Sequence, residues 1–147
     1  MFGTLLLLHL VGATIWTGGH LVLAICVLPG ILRARSPRRL LDFEQAYEKI
    51  GMTALAVQVV TGLWLAYRLL PDPGLWLDST NPLARGIQAK LVLLGLTVLV
   101  ALDARLRVLP RLDERRLVDM AWHIAAITLL SVFFVAAGVA FRAGWWA

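Results

Sequence analysis

The run from Thr4 to Leu28, TLLLLHLVGATIWTGGHLVLAICVL, constrains the chain more than any other stretch. It exceeds the roughly 20 residues a helix needs to cross a bilayer at about 1.5 Å per residue. Yet it contains His9, Trp16 and His20. An ionisable group inside such a span marks a candidate functional site, because charge or an unmatched polar atom is costly there. At about 100° per residue, steps of seven and eleven return a side chain to within about 20° of its starting direction, so these three residues share one stripe. The two imidazoles stand about 16 Å apart along the axis, too far for one metal ion but suited to two stations at different depths.

Composition agrees with a membrane protein. With 60% hydrophobic and 16% charged residues over 147 positions, and a mean hydropathy of +0.80, there is more apolar surface than a soluble domain of this size can bury. The net charge of +5 does not call for nucleic acid, since the basic residues gather in short connections where topology accounts for them. A lone cysteine, Cys26, excludes an internal disulfide and any multi-cysteine cluster, and reads as a buried apolar residue.

The first run lacks a basic leader and a small-residue cleavage site, so it is expected to stay as a span, stopped by Pro29-Gly30. Leu40, Phe43, Tyr47 and Ile50 then recur at three- and four-residue steps, an amphipathic pattern suited to the interface and able to run into the next span. The expected spans are about 4–28, 52–70, 87–106 and 120–141, with Pro71-Asp72-Pro73-Gly74 ending the second. Short loops make sequential neighbours antiparallel, giving an all-α, up-and-down four-helix bundle in the membrane.

Orientation follows from the basic residues. Arg33, Arg35, Arg38, Arg39, Lys49, Arg105, Arg107, Arg111, Arg115 and Arg116 flank the first and third loops, against Arg68, Arg85, Lys90 and Arg142 on the other side. The richer side is expected in the cytoplasm, with both termini outside. Counting along the helices then sets His9 and Lys90 near one level as an outer tier, and His20 and His123 near another as an inner tier. Trp16 falls between them. Met120, three residues before His123, could join a soft-metal site.

The motif His9-x6-Trp16-Thr17-Gly18-Gly19, followed by Val27-Leu28-Pro29 and an arginine-rich turn, resembles the start of a copper-resistance D (CopD) membrane domain. The resemblance continues through Thr61-Gly62-Leu63-Trp64-Leu65, Asn81-Pro82-x7-Lys90-Leu91 and Arg105-x-Arg107-x-Leu109-Pro110, in order and over most of the chain. The histidine followed by a tryptophan, and the lysine of the third span, are also similar to the small haem-containing HemJ group. These likenesses imply copper movement across a bacterial-type inner membrane, or b-haem redox chemistry. They carry over His9, Trp16 and Lys90, whereas His20 and His123 rest on spacing and depth.

Two mechanisms fit these residues. In one, copper is taken by His9 and handed to His20, His123 and Met120, imidazole and thioether both being copper ligands. In the other, His20 and His123 are axial ligands of a b-haem, His9 ligates a second haem, and Gly18-Gly19 lets a flat macrocycle or another helix approach. A cofactor-free structural or assembly subunit is the third reading. Expected partners are the lipid bilayer, a second copy in a homodimer, and a periplasmic copper or redox protein. No serine–histidine–acid set, nucleotide loop or HExxH motif points to hydrolysis or group transfer.

Overall fold

The computed structural model describes residues 2–144 and contains four long helices. We number them α1 (Phe2–Ala34), α2 (Pro37–Leu69), α3 (Pro82–Asp103) and α4 (Leu117–Arg142). Among them α1, α2 and α4 are long and apolar enough to cross a membrane. Consecutive helices run antiparallel, so the turn after α1 and the turn before α4 lie at one end, and the 71–81 loop lies at the other with both terminal segments. The protein is a multi-pass membrane protein.

Helix α1 does not stop at Pro29-Gly30. Its α-helical first part ends at Val22, the turn widens to a π-helix over Leu23–Val27, and α-helix resumes at Leu28. In the wide turn the Leu28 N–H bonds Leu23 O. This restarts the helix so that Pro29 occupies its first turn, where a missing N–H costs little. The helix ends six residues later than the sequence suggests, at Arg35 with φ 46°. Cys26 lies in the π-helical turn and is exposed rather than buried. The amphipathic segment and the second span form one continuous α2. Helix α3 starts early, at Pro82, because the Asn81 side chain accepts from Leu83 N at 2.9 Å. A second π-helical turn, Ala104–Val108, follows it.

The seams between helices differ. Helices α1 and α2 pack along their length, α3 packs on α4, and α1 also packs on α4, whereas α2 and α3 approach each other mainly at their ends. At the arginine-rich end Leu28, Ile31, Leu40, Leu117 and Ile124 form a buried cluster joining α1, α2 and α4. At the opposite end Leu70, Ala84 and Ile87 pack with Ala66 and Trp76, and the Trp76 indole donates to Leu70 O at 2.9 Å. Outward residues such as Val60, Leu99 and Leu129 are exposed, an apolar surface that lipid covers.

The two hairpins, α1–α2 and α3–α4, are internally equivalent. The π-helical turns Leu23–Val27 and Ala104–Val108 are 81 residues apart, as are Val27-Leu28-Pro29 and Val108-Leu109-Pro110. His9-Leu10-Val11 and Lys90-Leu91-Val92 keep the same offset. Across the shorter second turn it becomes 77, matching Arg38-Arg39-Leu40-Leu41-Asp42 with Arg115-Arg116-Leu117-Val118-Asp119. Leu40 and Leu117 then occupy the same buried cluster.

Candidate functional site

The histidines of α1 meet different neighbours. His9 Nδ1 lies 3.0 Å from Thr61 Oγ1 on α2. The Thr61 hydroxyl spends its proton on Val57 O at 2.6 Å, so its oxygen accepts from His9 Nδ1–H. That fixes the tautomer and leaves the lone pair on Nε2. The ring also fills the space over Gly62, where a Cβ would come within 3.1 Å of His9 Cε1.

Eleven residues along, His20 repeats the arrangement with a partner on its own helix. Its Nδ1 donates to Trp16 O at 2.9 Å, again leaving Nε2 with the lone pair. Trp16 is buried, and its ring lies 4.4 Å from the imidazole at a 50° tilt. The Tyr47 ring meets His20 edge-on at 6.2 Å, while its hydroxyl donates to Ile15 O at 2.6 Å. Tyr47 also decides the question posed by the paired glycines. Its ring occupies the space that a Cβ at Gly19 would take, so this glycine serves helix packing.

His123 faces elsewhere. Its Nδ1 lies 2.8 Å from Asp119 O and its Nε2 2.7 Å from Asp103 Oδ2 at the end of α3, where Arg107 also donates at 2.7 Å. Both ring nitrogens are turned to acceptors, and neither presents a lone pair to a metal. His20 instead lies level with Thr128, whose hydroxyl donates to Ile124 O at 2.7 Å and sits 3.3 Å from His20 O. Thr128 is five residues, about 7.5 Å, beyond His123 along α4. The inner tier expected from counting is thus drawn apart, His20 toward Trp16 and Tyr47, His123 toward Asp103. Met120 packs against the buried leucine cluster at the arginine-rich end.

Lys90 occupies the position on α3 that His9 occupies on α1, and lies near enough for their charges to interact. Its Nζ stands 5.8 Å from the Phe141 ring centroid and 4.0 Å from where a Cβ on Gly138 would be. The outer tier therefore comes together across the bundle. Among the described residues, no group of three or more histidine, cysteine, aspartate or glutamate side chains is arranged to hold a metal.

A family model described as CopD, copper resistance protein D, matches residues 41–141. The chain belongs to the CopD family. No curated protein and no solved structure matches it. The match covers α3 and α4 and most of α2, so Lys90 and His123 lie inside it while His9, Trp16 and His20 precede it. Membership ties the CopD chain to copper resistance, and its apolar helices tie it to the bilayer. Sequence reasoning missed two residues that fix the histidines. Thr61 stood out only as a minor polar position and Tyr47 only as part of an amphipathic repeat, yet both sit on the face of α2 that meets the α1 stripe.

Proposed function

We propose that the chain moves copper across a bacterial-type inner membrane, its termini on the outer side and its arginine-rich turns in the cytoplasm, with the metal as cargo and His9 and His20 as successive stations. The observation that carries this reading is their matched tautomer. Each imidazole has Nδ1 held by an oxygen acceptor and Nε2 left with its lone pair, an arrangement common for histidines that bind metals. Each station offers one protein ligand, and copper would complete its coordination with the ligands it arrives on. Single-ligand binding suits transit, since a cargo held by three or four protein ligands leaves slowly. Trp16 would then steady the His20 ring. His123 and Met120 are left out of the path, one by its two acceptors and the other by its packing.

The second reading, a b-haem between His20 and His123, draws no support from their separate neighbours. Cellular copper accumulation, compared between cells expressing the wild-type chain and cells expressing His9→Ala or His20→Ala at equal membrane levels, tests the proposal. Accumulation should change with the wild-type chain and return to the level of non-expressing cells with either variant. Equal accumulation in all three would refute it.

A further inference from the structure

The equivalence of the two hairpins places a basic side chain where the first hairpin has a neutral one. His9 and Lys90, 81 residues apart, occupy matching positions on α1 and α3, and their contacts match as well. His9 meets Thr61, and Lys90 meets Gly138, which lies 77 residues after Thr61. The second hairpin thus has no hydroxyl where the first has one, and the ammonium lies beside the Phe141 ring instead. No carboxylate compensates it. Of the nine acidic residues, Asp72 and Asp78 are in the 71–81 loop and the other seven are in the arginine-rich half. None of the described residues forms an ion pair with Lys90. A half-buried ammonium without a counter-ion, inside an apolar bundle, is a strong attractor for a negative group. The weakly joined α2–α3 seam lies beside it.

We propose that Lys90, with His9 across from it and Phe141 beside it, forms a binding site for a small monovalent anion, a halide or a carboxylate. A size limit follows from the neighbours, because Gly138 gives room next to Nζ while Phe141 closes one side. The site does not depend on copper. If copper does pass His9, an anion held at Lys90 would offset the repulsion between the metal and the ammonium.

The test uses the full chain in neutral detergent, with gluconate as the background anion at constant ionic strength. Chloride and acetate are titrated separately by calorimetry. Wild-type protein should give saturable binding near one equivalent. Lys90→Met should weaken it at least about tenfold and Lys90→Arg by no more than about threefold. Arg142→Met, which removes a cation at the end of α4, should leave it unchanged. Absence of saturable binding in wild type, equal binding by Lys90→Met, or equal loss in Arg142→Met would overturn the proposal. Should Lys90→Met not fold, Lys90→Gln takes its place, and the wild-type titration alone still decides against the site if it is flat. Copper binding measured in gluconate on the same preparations separates failure of this site from failure of the copper reading.

Discussion

The seam between α1 and α2 and the seam between α2 and α3 join the same helix to two neighbours in opposite ways. Along α1–α2, glycines let the helices close, with Gly12 over the Ala54 carbonyl and Gly19 under the Tyr47 ring. Along α2–α3 the joints are at the ends, an ion pair between Glu48 and Arg105 at one and the Leu70–Ala84–Ile87 cluster at the other. The middle is left for polar side chains from the bundle. The difference shows how a bundle with little buried surface can be firm where it must hold histidine tautomers and loose where something has to enter. In lipid, close backbone approach holds helices together more than apolar burial does.

The contrast predicts a ranking of stabilities. Gly19→Leu should cost the most, about 3 kcal/mol, because the Tyr47 ring is pinned by its hydroxyl bond and by stacking on Phe43 and cannot move aside freely. Reversible unfolding in mixed micelles measures it, and a loss below that of the other variants here would break the comparison. Tyr47→Phe should cost about 1 kcal/mol through the lost bond to Ile15 O, and should also alter the fluorescence of Trp16 by freeing the His20 ring. On the open seam the effects shrink. Glu48→Gln removes an ion pair whose partners are 37% and 55% exposed, so the expected loss is below about 1 kcal/mol and falls further with added salt. Gly95→Ala, with nothing within 4 Å of the new Cβ, should stabilise α3 by about 0.5 kcal/mol through helix propensity alone. A large loss at Gly95 would mean that the α2–α3 seam is closed after all.

Much of this was legible in the residues. Long apolar runs broken by charged turns give four helices, and counting along them brings His9 level with Lys90. The end of α1 was hidden because a π-helical turn absorbs Pro29, and nothing in LAICVLPG announces a wide turn. The inner tier failed for a different reason. Depth can be counted, but rotation about a helix axis is set by packing, here by Thr17, Thr128 and Ser131 between α1 and α4. That rotation turns His123 to Asp103 rather than to His20. The repeat was within reach, since VLP and the His/Lys-Leu-Val pair recur at one spacing. Few identities survive because each half faces different neighbours.

The central claim is that the two α1 imidazoles present Nε2 to copper while His123 does not. Electron spin echo envelope modulation on Cu(II)-titrated protein tests it directly, since an imidazole ligated through one ring nitrogen reveals itself through the other. The wild-type chain should show imidazole modulation, His123→Ala should keep it, and the His9→Ala/His20→Ala double variant should lose it. Modulation that persists in the double variant, or disappears in His123→Ala, would contradict the account.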